Sequence, residues 1–118
     1  MGRRGVKKGQ EYAILTDEIT KAWSGLSVKE YKNHKDLKKE NLRDNMTNLE
    51  LVLNMLAEAT TTEISKEKKP KTFTENKKIA NQGGTIAGNT RKEIEEKTGK
   101  KVVSQISAKK LIENKKLK

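Results

Sequence analysis

The chain contains no cysteine, which excludes a disulfide framework and any thiolate ligand or nucleophile. It has one histidine, His34. A transition-metal site needs three or four converging ligands, and Glu30 and Asp36 alone beside His34 do not supply them, so no metal is expected. Ser/His/Asp and Cys/His catalytic schemes are equally short of members. Gly83-Gly84-Thr85-Ile86-Ala87-Gly88 fits neither the Walker A spacing nor the dinucleotide fingerprint. The residues therefore point to a protein that is not an enzyme and uses no cofactor. Four aromatic residues, Tyr12, Trp23, Tyr31 and Phe73, are too few for a platform that stacks single-stranded bases. No apolar run approaches the ~18 residues of a membrane span, and no export signal follows Met1. A soluble, cytoplasmic protein with no membrane partner is expected.

What the chain has is charge. Its 118 residues suit one domain. They carry 27 Lys and Arg against 16 Asp and Glu, a net of +11. Leu, Ile, Val and Phe together number 24, close to the border at which a highly charged chain fails to build a core. Core and charge are separated along the sequence. From Tyr12 to Ile64 there are 18 large apolar residues, and from Ser65 to Lys118 only 10. Residues 1–59 have a net charge of +2, and residues 60–118 of +9.

The pattern predicts an all-α fold: a basic arm, 1–11; a single helical domain, 12–112; and a disordered tail, 113–118. Residues 12–15 read as a lead-in segment or short strand. Thr16 can cap a first helix that Gly25 stops, with Ile19 and Trp23 on one face. Ser27-Val-Lys-Glu30 is a capping box opening a short helical turn. His34–Leu37 reads as a connector, and residues 38–45 as a short helix with Leu42 inward. Thr47-Asn-Leu-Glu50 is a second capping box, opening a central helix at about 48–65. Its Leu49, Val52, Leu53, Leu56 and Ala59 form one apolar stripe, with Leu51 and Met55 on a second face. Such a helix is expected to be buried on both sides. Pro70 sits in a charged linker, 66–71, and Thr72-Phe-Thr-Glu75 is a third capping box.

Beyond it two readings stand: two helices broken at Gly83-Gly84, because two glycines cost a helix ~2 kcal/mol against alanine, or one long basic helix, 73–98, which the spacings of Ile79, Ile86 and Ile94 favour. Ile79, Ala80, Gly84, Ile86, Gly88 and Ile94 form its packing or partner face. The small residues at spacings of four permit close backbone approach. Gly99 is the expected stop. Lys100–Ser104 reads as extended, Ser107–Ile112 as a last short helix, and Asn114–Lys118 as a frayed end.

A pI near 9.8 is the electrostatic footprint of a nucleic-acid binder. The candidate contacts are Arg3, Arg4, Lys7 and Lys8 in the arm; Lys35, Lys38, Lys39 and Arg43; and Lys77, Lys78, Arg91 and Lys92 on the long helix. Lys supplies 23 of the 27 cations. Lysine meets phosphate as a point charge, whereas base-edge readout leans on arginine, so any DNA contact is expected to be independent of sequence.

Three stretches carry a resemblance. Ala22-Trp-Ser-Gly-Leu-Ser-Val-Lys-Glu-Tyr-Lys32, Asp36-Leu-Lys-Lys-Glu-Asn-Leu-Arg-Asp-Asn-Met-Thr-Asn-Leu-Glu-Leu51 and Ala57-Glu-Ala-Thr-Thr-Thr-Glu63 resemble the C-terminal part of the DNA-damage-inducible protein D family. The likeness runs through Asn76–Lys97 and Gly99-Lys-Lys-Val-Val103, covering about residues 12–112. It implies an intracellular protein linked to the DNA-damage (SOS) response; joined to the +9 charge of residues 60–118 and the missing catalytic set, the expectation is a cytoplasmic accessory protein with DNA, recombination proteins or repressor proteins as partners. Longer members look related to phage antirepressors through a Bro-type N-terminal domain. This sequence opens on a short basic arm instead, so no role of that domain carries over. The other expectation is a protein–protein regulatory module, an antirepressor-like tail without DNA contact.

Overall fold

The computed structural model describes residues 2–105 and 107, with side chains from Gly9 onward. Among these residues the chain forms α1 (Gly2–Ser24), α2 (Val28–His34), a single 3-10 turn (Arg43–Asn45), α3 (Asn48–Lys68) and α4 (Phe73–Thr98), and no strand. The all-α expectation holds, as does the long helix at 73–98; the central helix expected at about 48–65 runs on to Lys68, into the stretch read as a linker.

All three predicted capping boxes place helix starts. Ser27 and Glu30 cap α2 reciprocally, and Thr47 and Glu50 do the same for α3. At α4 the Thr72 hydroxyl accepts the Glu75 N–H at 3.1 Å, but the Glu75 carboxylate accepts from Lys71 rather than from Thr72. The stops hold too. Gly25 and Gly99 take positive φ and donate back into the preceding turn. Lys69 ends α3 in the left-handed region, and Pro70 cannot continue the helix. The connection 69–72 makes α3 and α4 an antiparallel hairpin.

Four expectations about α1–α3 and the connecting segments are corrected. First, α1 opens at Gly2, not at Thr16, so Tyr12–Leu15 is helical and not a strand. The two acids that follow Thr16, which would suit the first turn of a helix opening there, serve tertiary contacts instead. Asp17 accepts the Val28 N–H at 2.7 Å, and Glu18 accepts from the Asn81 amide at 2.9 Å. Second, His34 belongs to α2, and the helix expected at 38–45 is only the 3-10 turn, although Leu42 is buried as expected. Third, Lys100–Ser104 is irregular, with Val102 docked in the core. Fourth, α3 is buried on one side only. Its inward residues are Glu50, Leu53, Asn54 and Ala57. Of the predicted stripe only Leu53 is buried; Leu49, Val52 and Leu56 face outward with Met55, and Ala59 is exposed. Ser107 is buried; the rest of the predicted last helix and the 113–118 tail lie outside the described residues.

The core gathers Trp23, Tyr31, Leu37, Leu42, Leu53, Ala57, Ala87 and Val102. The Trp23 and Tyr31 rings meet at 6.0 Å, tilted by 56°. Each large side chain buried there contributes roughly 1.5–3 kcal/mol. Most of the polar residues facing inward are partnered; among the described residues the Thr61 hydroxyl, packed against Gly83, has no hydrogen-bond partner. Trp23 Nε1 donates to Asn54 Oδ1 at 3.1 Å. Glu50 accepts from Lys35 Nζ at 2.7 Å, the Tyr31 hydroxyl, the Thr47 N–H at 2.8 Å and the Ser104 N–H at 3.2 Å. One carboxylate thus ties α2, the start of α3 and the segment after α4. Burial, reinforced by this carboxylate, pushes the Tyr31 phenol far above its ordinary range.

α4 continues unbroken through Gly83-Gly84. A Cβ on Gly83 would lie 2.7 Å from the Thr61 nitrogen of α3. On Gly84 it would lie 2.8 Å from the Ile19 carbonyl of α1, and on Gly88 2.6 Å from that of Ala22. The glycines let α4 lie close against both neighbours, which offsets their poor helix propensity. Ile79, Ala80, Gly84 and Gly88 are buried as expected, and Ile94 packs partly on the core. Ile86 is not on that face; it is 45% exposed. Seven residues fall about 20° short of two full turns. Ile79 sits at the rim of the buried face, so Ile86 turns past it.

Candidate nucleic-acid interface

The twelve predicted cations fall into different environments. Arg3, Arg4, Lys7 and Lys8 lie in the first turns of α1, where only the backbone is described. Lys35 is fully buried, with Nζ on Glu50 and 5.7 Å from the Tyr31 ring centre. It holds the core together and does not reach a ligand at the surface. Arg43 forms a two-pronged bond to Glu58, at 3.0 and 3.1 Å, linking the 3-10 turn to α3. Arg91 is largely covered. Its Nε donates to the Trp23 carbonyl at 2.7 Å, and its Nη1 to Glu95 at 2.9 Å. It thereby satisfies one of the orphan carbonyls at the end of α1. Glu95 in turn accepts the Val102 N–H at 3.0 Å. Burial alone would raise the Glu95 carboxyl, but the Val102 amide and the Arg91 guanidinium outweigh it and hold the group below its ordinary value.

Lys38, Lys39, Lys77, Lys78 and Lys92 are exposed. They do not form the stripe along α4 that the sequence suggested. Between Lys78 and Lys92 the exposed positions Asn81, Gln82, Thr85, Ile86 and Asn89 are uncharged. A 26-residue helix is about 39 Å long, and its lysines collect at the two ends.

The end formed by the α3–α4 turn is the denser. Lys66, Lys68, Lys69, Lys71, Lys77 and Lys78 are all exposed within a stretch of thirteen residues. Two acids lie among them. Glu75 is engaged by the Lys71 N–H, and Glu67 is exposed; just before the stretch, Glu63 sits 3.7 Å from Lys66. A shallow cavity of about 250 Å³ at the turn is lined by Lys68, Pro70, Glu75, Lys78, Ile79 and Gln82. The C-terminal end of α3 and the N-terminal end of α4 meet here, so their dipoles oppose each other. The field at the turn is that of the lysines. Point charges on long stems, without arginine forks, suit a phosphate chain and carry no base readout. The sequence reading passed over Lys66, Lys68, Lys69 and Lys71 as a linker. The density of lysine around the only proline was the available sign.

A sequence model of one protein family, described as the DinD C-terminal domain, matches residues 2–115. No curated protein and no solved structure matches the chain.

Proposed function

The chain belongs to the DinD C-terminal domain family, and on that premise we propose a non-enzymatic accessory protein of the DNA-damage response that contacts DNA, or a recombination nucleoprotein complex, through the α3–α4 turn. The observation that carries the reading is the set of six exposed lysines at one end of the hairpin. Each phosphate neutralised there releases counterions, which gives affinity without sequence preference. Among the described residues no helix is long and apolar enough to cross a membrane, and the protein is proposed to act in the cytoplasm. Fluorescence anisotropy of labelled single-stranded and duplex DNA at two salt concentrations tests the reading. Binding that weakens steeply with salt supports it, and a flat response at low salt sinks it.

A second reading, a regulatory module that meets only proteins, is favoured by a different observation: the exposed apolar face of α3. Protein capture without any DNA binding would select it over the first.

A further inference from the structure

We propose that the outer face of α3 is the interface of an antiparallel homodimer, a surface separate from the lysines of the turn. Leu49, Val52, Met55 and Leu56 are 41, 59, 49 and 36% exposed on that face. Leu49, Val52, Leu56 and Ala59 follow one another at spacings of three, four and three. That is the a/d seam of a coiled coil, whose occupant is another helix.

Two features of the chain identify this helix as a second copy of α3. The seam is complementary to itself when reversed. With a two-fold axis at the level of Asn54, Val52 meets Leu56 of the other copy, and Leu49 meets Ala59. Large residues then oppose smaller ones, and Met55 lies near its own mate. The second feature is charge. No Lys or Arg occurs from Asp44 to Ser65, in a chain that holds 27 of them. The acids of that stretch are largely balanced: Glu50 by Lys35, Glu58 by Arg43, and Glu63 by Lys66 at 3.7 Å. Two copies with a net charge of +11 each repel one another, and this apolar face is one on which they can meet without opposing lysines. A two-fold interface brings the same patch of both copies together, so a patch without Lys or Arg is what self-pairing of so basic a chain requires. The seam covers eleven residues, about 16 Å of helix, and corresponds to a small, reversible interface.

Sedimentation of the nucleic-acid-free chain, from low micromolar to submillimolar concentration, tests the proposal. The apparent mass should rise from 13.3 kDa toward twice that value. Added salt should promote the rise, because it screens the repulsion; salt weakens DNA binding, so the two readings fail separately. Val52→Glu should remain monomeric at every concentration with its thermal midpoint unchanged. Because the chain has no cysteine, single cysteines report the register. Met55→Cys should form a disulfide-linked dimer several-fold faster than Leu49→Cys. A monomer throughout, self-association that survives Val52→Glu, or equal cross-linking at the two positions would each overturn the antiparallel dimer.

Discussion

Residues 44–65 and residues 66–78 are neighbours in sequence and opposites in surface. The first stretch holds no basic residue and turns four large apolar side chains outward. The second holds six exposed lysines and buries little before Ile79. The charge of the chain is therefore sorted by element, with a boundary near the last turns of α3. Half-by-half charge counts place the positive field along α4; the fold moves it to the ends of that helix. Two surfaces so different in kind suit two kinds of contact, one with a polyanion and one with another helix.

Both surfaces hang on the same hairpin, so the largest effect comes from breaking its support. Glu50→Ala leaves Lys35 buried without its carboxylate, which costs about 3–5 kcal/mol. Thermal melting by circular dichroism should show the midpoint falling by ~10 °C or more. Replacing the pair together, Lys35→Met with Glu50→Leu, should recover only part of that loss, because the Tyr31 hydroxyl and the Thr47 and Ser104 N–H groups still lose their acceptor. Gly84→Ala comes next, and here the sign is the test. Helix propensity alone favours alanine by ~1 kcal/mol. The added Cβ would meet the Ile19 carbonyl and the Ala22 side chain of α1, so the melting midpoint should fall instead of rise.

Smaller effects sharpen the contrast. Glu95 sits below its ordinary value when folded, so its contribution is present above the unfolded pKa, ~4.3, and is lost as pH falls through the lower folded value. Melting midpoints measured down an acid series should drop less steeply for Glu95→Gln than for the parent. The smallest effect is expected on the outer face of α3. Val52→Lys with Leu56→Lys should change stability by no more than ~0.5 kcal/mol in the monomer, as read by urea denaturation, because both side chains already face solvent.

Helix starts were legible in the sequence because they are local chemistry. Ser27, Thr47 and Thr72 each need only a carboxylate or an amide three residues on. The stops at Gly25 and Gly99 were legible for the same reason. The orientation of α3 was not, because Glu50 and Asn54 face inward. Their partners, Lys35 and the Trp23 ring nitrogen, lie fifteen and thirty-one residues away. An apolar-stripe argument counts Leu49, Val52 and Leu56 as core and has no means of knowing that a paired carboxylate takes their place. The early start of α1 was hidden by Gly5 and Gly9, which argue against a helix, and by polar residues whose use is tertiary. Of the candidate contacts, Lys77 and Lys78 are exposed, as a surface contact requires, whereas Lys35 is buried and Arg91 largely covered. A buried cation looks like a surface one until its partners are known.

The lysine-rich turn as a phosphate contact is the central claim. The most direct test compares the intact chain with Lys68→Ala/Lys71→Ala/Lys78→Ala in anisotropy titrations of duplex DNA over a range of salt. The three side chains are exposed, so the triple variant should melt like its parent. Its binding should be weaker, with the slope of log affinity against log salt shallower by up to ~2.7. An intact chain that does not bind at low salt, or a triple variant whose slope is unchanged, would contradict the account.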